Sequence, residues 1–259
     1  MEKITGKNND IIKGVKKLLT SSNQRRAQSQ FVLEGARLVF DVLNSFVDVD
    51  SFFITESAYD KYRESADLMI EKSNCSYFIS DEISSKLSET KNSQGIFAIC
   101  NMSSSSIELN PHNKYIALDN IQDPGNLGTI IRTAEALGID GIIIGGGCDL
   151  YNPKVLRASM GSFLRIKYMI CSNLHECLNE LRLKNSYRIY STSPSIDAFN
   201  ITKADFSKGC ICVIGNEANG VSDAVLELSD EIITIPMLGR AESLNASIAA
   251  SIVMWEMLR

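Results

Sequence analysis

The alternation between strand-like and helix-like segments is the feature that most limits the fold of this 259-residue chain. Short apolar runs, such as GIIIG at 141–145 and CICVIG at 210–215, alternate with segments of helical periodicity over almost the whole sequence. Apolar runs of this kind are typical of parallel strands whose two faces are both covered by helices. The pattern therefore predicts an α/β fold built on a largely parallel sheet.

A polar stretch at residues 101–113, NMSSSSIELNPHN, interrupts this alternation. It contains four successive serines and one proline, a composition typical of a linker between domains. We therefore predict a smaller α/β domain at 1–100, a linker at 101–113 and a larger α/β domain at 114–259. The first of these has the size of a domain that folds alone.

Charge is unevenly distributed along the chain. The whole sequence carries 26 Lys and Arg against 31 Asp and Glu, a net charge of −5, which argues against a surface that is basic throughout. Residues 1–37 alone sum to +5, so the remainder sums to −10. A solvated helix face and a phosphate-binding arm are both compatible with such a basic segment.

Membrane and metal functions are disfavoured by the composition. No apolar run approaches the roughly 18 residues of a membrane span, and the first ten residues, MEKITGKNND, lack the apolar region of a signal peptide. We therefore expect a cytoplasmic protein without membrane contact. The seven cysteines show no zinc-ligand spacing, and the two histidines, His112 and His175, stand alone. We accordingly predict no metal site.

Three loops in the larger domain follow strand-like runs and combine glycine or proline with polar side chains. They are DNIQDPGNLG at 119–128, GNEANG at 215–220 and IPMLGRAESLNAS at 235–247. In an open parallel sheet, ligands gather beyond the carboxyl ends of the strands, where such loops lie. Each loop taken alone also fits an ordinary turn or helix start, with Asn126 and Ser243 as candidate cap residues.

These loops do not match the common nucleotide-binding or hydrolase motifs. Neither glycine cluster has the spacing G-x-G-x-x-G, and the P-loop pattern G-x-x-x-x-G-K-[ST] does not occur. Both histidines lie away from the loops, so the sequence offers no Ser-His-Asp arrangement. Dinucleotide-dependent oxidoreduction, nucleotide hydrolysis and triad hydrolysis are therefore disfavoured.

Taken in order, four segments closely resemble the successive motifs of the SpoU (TrmH) branch of the SPOUT RNA methyltransferases. They are DPGNLGTIIRTAEALGIDGIII, NPKVLRASMGSF, VIGNEANGVSD and IPMLGRAESLNASIAASIVMWEM. The resemblance covers about residues 115–259, and it is specific because separated motifs agree in both order and spacing. The N-terminal part, with NNDIIKGVKKLL, RRAQSQFVLEGARLV and KLSETKNSQGIFAI, resembles the ribosomal-protein-like substrate-binding domain often fused ahead of that catalytic domain.

The resemblance implies S-adenosyl-L-methionine as the cofactor and a ribose 2′-hydroxyl of RNA as the methyl acceptor, with ribosomal RNA favoured. It also implies a homodimer and a C-terminal SPOUT domain with a deep trefoil knot. The catalytic residues that it implies are Asn126, Arg132, Glu217, Ser243 and Asn245. The implied cofactor-binding residues are Thr192, Ser193, Gly215, Asn216, Ile235, Met237, Gly239 and Leu244.

Two roles are open for Arg132. Within the family it would be the general base, but a guanidinium has a pKa above about 12 and stays protonated in proteins. It would equally serve as a clamp on the phosphate next to the target ribose and stabilise the developing alkoxide, with Ser243 or an ordered water relaying the proton. Asn126 and Asn245 would orient Arg132 or the hydroxyl, and Glu217 would pair with a guanidinium or fix its loop.

The basic N-terminal segment supplies the candidate RNA contacts outside the loops. Arg25 and Arg26 lie in the polar run SSNQRRAQSQ, and Lys16 and Lys17 lie one helix earlier. Contacts of these four side chains with phosphates are one interpretation, and a solvated basic face is the other.

The terminal helix is strongly apolar. Its stripe of Leu244, Ile248, Ile252 and Trp255 is predicted to lie in the core, and the helix either completes that core or contributes to a subunit contact.

Alternatives to the main interpretation are transfer RNA as the substrate and a non-catalytic RNA-binding member of the fold. A small-molecule oxidoreductase is a third alternative, weakened by the missing dinucleotide fingerprint.

Overall fold

A computed structural model describes residues 1–6, 9–89, 92–102, 107, 110–195 and 197–259. Its chain divides into two compact units, Met1–Ser104 with Asp149–Leu164, and Ser105–Cys148 with Arg165–Arg259. The predicted α/β class is confirmed, and both units have their own sheet. Part of the predicted linker, at 103–106 and 108–109, lies outside the described residues.

The first unit contains a five-stranded mixed sheet. Its strands are β1 (Glu2–Ile4), β2 (Gln30–Glu34), β3 (Val49–Ile54), β4 (Ser73–Ile79) and β5 (Ile96–Asn101), and its first six helices are α1 (Asp10–Thr20), α2 (Ser22–Gln28), α3 (Ala36–Asp41), α4 (Glu56–Lys61), α5 (Arg63–Lys72) and α6 (Asp81–Leu87). The strand order is β1-β4-β3-β5-β2, and β5 runs antiparallel to both of its neighbours. The expectation of a largely parallel sheet is therefore wrong for this unit.

The second unit contains a seven-stranded sheet in which every pair of neighbours is parallel. The elements from residue 114 onward are β6 (Lys114–Asp119), α7 (Pro124–Leu137), β7 (Gly141–Gly145), α8 (Pro153–Ala158) of the first unit, β8 (Tyr168–Cys171), α9 (Leu174–Asn185), β9 (Arg188–Thr192), β10 (Phe199–Asn200), β11 (Cys210–Ile214), α10 (Asp223–Leu228), β12 (Glu231–Thr234) and α11 (Ala246–Leu258). The strand order is β10-β12-β9-β11-β6-β7-β8. Both β7 and β11 are buried along their whole length, as their apolar sequences predict.

The segment Asp149–Leu164 groups with the first unit, although we expected it within the domain 114–259. Aromatic packing gives the physical reason, because the rings of Tyr151 and Phe163 lie 5.0 and 5.7 Å from the ring of Phe31 on β2. The Arg157 guanidinium on α8 also forms an ion pair with Glu34, with 3.5 Å between Nη1 and Oε2. These contacts join residues that are far apart in the sequence, so no local pattern indicates them.

The terminal helix α11 differs from its prediction. Ile248 and Trp255 are 51% and 62% exposed, so the assignment to the core is wrong for these two residues, while Leu244 and Ile252 of the same stripe are partly buried. The buried face of α11 instead carries residues such as Ala250, Val253 and Met257. Because the helix is apolar on almost every side, periodicity alone does not define which face packs inward.

Two further expectations concern the membrane and the chain path. Among the described residues, no helix is both long and apolar enough to cross a membrane. The trefoil knot stays a prediction of the family resemblance, because strand order by itself does not define a knot.

Candidate functional site

The three polar loops of the second unit all leave the same edge of its sheet. In the structure, the irregular part of the first loop is 120–123, after β6. That of the second is 215–222, after β11, and that of the third is 235–245, after β12. Because these strands are parallel members of one sheet, their carboxyl ends point the same way. The loops therefore meet although they come from distant parts of the chain.

Glu217 and Asn126 join these loops through direct hydrogen bonds. Glu217 Oε1 accepts from Asn126 Nδ2 at 2.9 Å and from the Asp123 amide at 3.1 Å. Glu217 Oε2 accepts from the Gln122 amide at 3.1 Å. Asn245 Nδ2 donates to Asn126 Oδ1 at 2.9 Å, so the side-chain amide of Asn126 connects the second loop to the third.

These hydrogen bonds determine the charge state of Glu217. Partial burial raises the pKa of its carboxyl, but the donors from Asn126, Gln122 and Asp123 outweigh that effect and hold the pKa below the ordinary value of 4.5. Glu217 is therefore an anion at neutral pH. Since both of its oxygens accept hydrogen bonds within the chain, its evident local role is to fix the first and second loops.

The helix caps at the site differ from those predicted. Asp123, not Asn126, caps α7, because its Oδ1 accepts from the Asn126 amide at 2.8 Å. Asn245, not Ser243, caps α11 through bonds from the amides of Ser247 and Ile248. Proline at the first helical position is a known signal for a preceding cap, so the Asp123-Pro124 pair was a usable sequence signal.

The second loop is a tight turn closed by its own backbone. Asn216 and Gly220 exchange two amide-to-carbonyl hydrogen bonds of 2.9 Å each, and Asn216 Nδ2 donates to the carbonyl of Asn120 in the first loop at 2.8 Å. Gly215 is required at its position, because a Cβ there would lie 2.1 Å from the Gly220 carbonyl carbon. Sequence reasoning missed Asp119, which anchors the end of this turn by accepting from the Ser222 amide and hydroxyl.

A cavity of about 560 Å³ opens between the second loop, the third loop and the end of β9. Its lining includes seven of the eight predicted cofactor-binding residues, namely Thr192, Ser193, Gly215, Asn216, Ile235, Met237 and Leu244. It also includes Glu217, Ser243 and Asn245 from the predicted catalytic set. Gly239 is exposed and does not line the cavity.

The cavity has the chemistry that an adenosyl ligand requires. Ile214, Ile235 and Leu244 provide apolar surface for a purine ring. Along 237–244, which are all described, no backbone group takes part in a hydrogen bond within the chain, so these N–H and C=O groups are available to a ligand. The volume also falls in the range of about 300–1,000 Å³ that is typical of small-molecule sites. The residues present therefore fit S-adenosylmethionine.

Arg132 stands apart from this hydrogen-bonded group. It lies on α7 and is exposed, and across the described ranges its guanidinium has no hydrogen bond or ion pair. The structure thus brings Asn126, Glu217 and Asn245 together without linking Arg132 to them. Ser243 lines the cavity and is also exposed.

The predicted RNA contacts fall into two groups. Arg25 on α2 is 3% exposed; its Nε donates to Asp149 Oδ2 at 2.7 Å and its Nη1 to the Leu18 carbonyl at 2.6 Å. The prediction that Arg25 contacts phosphate is therefore wrong for this structure, because its guanidinium is directed into the first unit. Arg26, Lys16 and Lys17 are exposed.

A metal site is not indicated by the geometry. Within the part of the chain that the structure describes, no group of three or more His, Cys, Asp or Glu side chains is arranged to hold a metal ion.

Comparisons with known proteins identify both parts of the chain. Residues 113–255 match the SpoU rRNA Methylase family, and residues 9–98 match the MRM3-like substrate binding domain. Over 258 residues, 99% of each chain, the sequence is 34% identical to the 23S rRNA (guanosine(2553)-2′-O)-methyltransferase RlmP of Bacillus subtilis (strain 168). It is 32% identical to an uncharacterized tRNA/rRNA methyltransferase of Synechocystis, slr1673, over 99% of this chain and 93% of that one.

A solved structure shows the same fold. The AdoMet-bound rRNA methyltransferase from Sinorhizobium meliloti superposes with a TM-score of 0.89 at 27% sequence identity. The match covers 99% of this chain and 97% of that chain.

Proposed function

The chain belongs to the SpoU rRNA methylase family, and we propose that it transfers the methyl group of S-adenosyl-L-methionine to a ribose 2′-hydroxyl of ribosomal RNA. The observation that carries the proposal is the hydrogen-bonded connection of Asn245, Asn126 and Glu217 at the mouth of a cavity that fits an adenosyl ligand. RNA is the polymer with a 2′-hydroxyl to accept the methyl group. Because ribosomal RNA is the proposed substrate, we expect the protein in the cytoplasm.

The second and third loops would hold the cofactor. The adenine ring would pack against Ile235 and Leu244. The free backbone groups of the third loop would form hydrogen bonds with the polar edge of the ring. When bound, S-adenosylmethionine supplies an electrophilic methyl group attached to a sulfonium. The protein then has to place the ribose oxygen in line with that methyl group, at about 3 to 3.5 Å.

Asn126 and Asn245 act as positioning residues in this proposal. The side-chain oxygen and nitrogen of Asn126 are both occupied by Asn245 and Glu217. Asn245 uses its oxygen to cap α11 and its nitrogen to hold Asn126. With their polar atoms engaged within the chain, these amides fix the relative position of the loops. Ser243, whose hydroxyl borders the cavity, is the candidate for relaying the proton of the ribose hydroxyl.

Arg132 is assigned the role of phosphate clamp. Its guanidinium has no intrachain anion among the described residues, so its full positive charge is available to an RNA phosphate and to the developing alkoxide. A role as general base would require the guanidinium to lose a proton, which arginine side chains do not do in proteins. The clamp requires no such change.

Single-turnover methyl transfer to a ribosomal RNA fragment tests the function and the role of Arg132 together. Arg132→Lys should be slow at every pH, because lysine cannot bind a phosphate in the bidentate manner of arginine. Near-normal rates with a shifted pH dependence would instead support the general base. No transfer by the unsubstituted protein, on ribosomal or transfer RNA, would overturn the enzyme assignment.

Arg26, Lys16 and Lys17 are the proposed phosphate contacts of the first unit. All three are exposed on the neighbouring helices α1 and α2. Electrostatic contacts of this kind release counterions and make the RNA affinity depend on salt. They support binding without specifying which nucleotide is methylated.

A homodimer is the proposed assembly, with α11 in the contact. Trp255 and Ile248 lie seven residues apart on this helix and expose large apolar surfaces, while Glu256 is the one charged residue between Ala246 and Leu258. An apolar face with little charge is complementary to a second copy of itself across a two-fold axis. Analytical ultracentrifugation should show a dimer for the unsubstituted protein and a shift toward monomer for Trp255→Glu; an unshifted distribution would remove α11 from the contact.

A further inference from the structure

The segment Met237–Leu244, here called the strap, is held only at its ends by the residues that the structure describes. Met237, Ser243 and Leu244 line the cavity, but the residues between them do not. Leu238 is 103% exposed, which is the value of a side chain without a neighbour. As described above, no backbone group of the strap has a hydrogen bond to a described residue. The strap therefore has little to fix its conformation when the cavity holds no ligand.

Arg240 lies in the middle of the strap. It is exposed, and in the ranges that the structure describes it has no hydrogen bond or ion pair. Its neighbour Gly239 has open space where a side chain would be, so nothing packs against this part of the strap. An exposed arginine without an intrachain anion, on a segment whose ends line the proposed cofactor cavity, is suited to bind a phosphate of the substrate RNA.

We propose that the strap closes over the bound methyl donor and that closure fixes Arg240 against an RNA phosphate, so that the cofactor raises the affinity for RNA. The proposal rests on the proposed function and adds to it an RNA contact that exists only in the cofactor-bound protein. It follows from the position of Arg240 on a segment whose ends line the cofactor cavity and whose centre faces outward.

The physical basis is the cost of ordering the strap. Fixing the backbone of a free segment is unfavourable, and the ligand that orders it bears that cost. Once the cofactor has ordered the strap through Met237 and Leu244, RNA meets an arginine that is already in place. Coupling of this kind is reciprocal, so RNA must raise the affinity for the cofactor by the same factor.

Arg240 is assigned to RNA and not to the carboxylate of the cofactor because of where it lies. It is absent from the lining of the cavity, whereas Met237 and Ser243 on either side are part of it. A contact with the carboxylate would require Arg240 to point inward. The two assignments predict different effects of Arg240→Ala on the affinity for the cofactor, namely almost no change for a contact with RNA and a clear loss for a contact with the carboxylate.

The test compares two variants of the strap that change charge in opposite directions, Arg240→Ala and Glu242→Gln. RNA affinity is measured by fluorescence anisotropy with and without saturating S-adenosylhomocysteine, and cofactor affinity by calorimetry. In the unsubstituted protein the cofactor should tighten RNA binding by about fivefold or more. Arg240→Ala should abolish most of this gain while changing the cofactor affinity less than about twofold, and Glu242→Gln should preserve or increase the gain.

Hydrogen exchange provides a readout that is independent of RNA. Amides of the strap should exchange rapidly in the free protein and slowly with S-adenosylhomocysteine bound, in both the unsubstituted protein and Arg240→Ala. The proposal would be overturned if Arg240→Ala lost the same RNA affinity with and without the cofactor, or lost none at all. A tenfold weaker affinity of Arg240→Ala for the cofactor would also overturn it. Failure of the unsubstituted protein to bind S-adenosylhomocysteine would instead contradict the proposed function itself.

Discussion

Two helices use arginine in opposite ways. On α2 of the first unit, Arg25 is buried and gives its guanidinium hydrogens to Asp149 and to the carbonyls of Leu18 and Leu19. On α7 of the second unit, Arg132 is exposed and has no intrachain partner in the described residues. An arginine that stabilises the fold has its hydrogen-bond donors paired within the chain, whereas an arginine that binds a ligand keeps its donors free.

The largest effect is expected from Arg132→Ala. Removing the phosphate clamp should lower single-turnover methyl transfer by about 10²- to 10³-fold, the usual result of deleting one group that stabilises charge in the transition state. The free energy of unfolding should change by less than about 0.5 kcal/mol, because an exposed side chain without partners is lost. Parallel activity and urea-unfolding measurements check this, and a large loss of stability would contradict the assignment of Arg132 to a ligand.

Arg25→Ala should have the opposite profile. Removing one partner of a buried ion pair takes the guanidinium donors away from the Asp149 carboxylate and from two carbonyls, which we expect to lower the free energy of unfolding by about 3–5 kcal/mol. Arg26→Ala, one residue further along the same helix, is the matched control and should change it by less than about 0.5 kcal/mol. Urea denaturation of the three proteins measures both. Equal stabilities would show that the buried pair contributes nothing to folding.

Glu217→Gln tests an acidic residue that is bonded within the chain at the site itself. The amide can no longer accept from all three donors, so the loops should shift and methyl transfer should fall by about tenfold to a hundredfold.

The pKa of Glu217 is held below 4.5 in the folded protein. Its contribution to the stability of the folded protein is therefore complete above the pKa of the unfolded chain, and it is lost as the pH falls through the lowered value.

The pH dependence of Glu217 is measurable by unfolding at several pH values. The stability difference between the unsubstituted protein and Glu217→Gln should be constant above about pH 5 and shrink at more acidic pH. Asp223→Asn, which also removes a carboxylate that borders the cavity, is the control for a general effect of charge. A difference that grows as the pH falls would contradict the assigned hydrogen bonds.

The smallest effects are expected from the exposed basic residues of α1 and α2. Replacing Arg26 by alanine should weaken RNA binding only a few-fold, and it should reduce the slope of log affinity against log salt by about 0.7 if one phosphate contact is lost. Lys16→Ala and Lys17→Ala should each act similarly. Filter binding over a range of salt concentrations measures the slopes. Unchanged slopes in all three variants would assign these residues to a solvated face.

Much of the site was predictable because its determinants are local. The three loops have glycine, proline and asparagine at the ends of apolar strands, and the rule for ligands in parallel sheets places such loops together. The family resemblance then named Asn126, Glu217 and Asn245, and the structure joins these three by hydrogen bonds. The apolar sequences of β7 and β11 likewise predicted strands that are buried on both faces.

The errors concern contacts that no local pattern contains. Arg25 pairs with Asp149, 124 positions further along the chain, so its polar neighbours gave the impression of an exposed arm. The face that α11 buries depends on what packs against it, because the helix is apolar on nearly all sides. Asp149–Leu164 joins the first unit through aromatic contacts with β2, which the linear order of the motifs does not reveal.

The central claim is that the second and third loops hold a methyl donor and that Arg132 binds a phosphate of the RNA that receives the methyl group. Its most direct test is transfer of radiolabelled methyl from S-adenosylmethionine to ribosomal RNA, followed by alkaline hydrolysis. Methylation of a 2′-hydroxyl blocks cleavage at that nucleotide, so the account predicts label in an alkali-stable dinucleotide, with the signal lost in Arg132→Ala. Label released as a single methylated nucleotide, or equal label with Arg132→Ala, would contradict it.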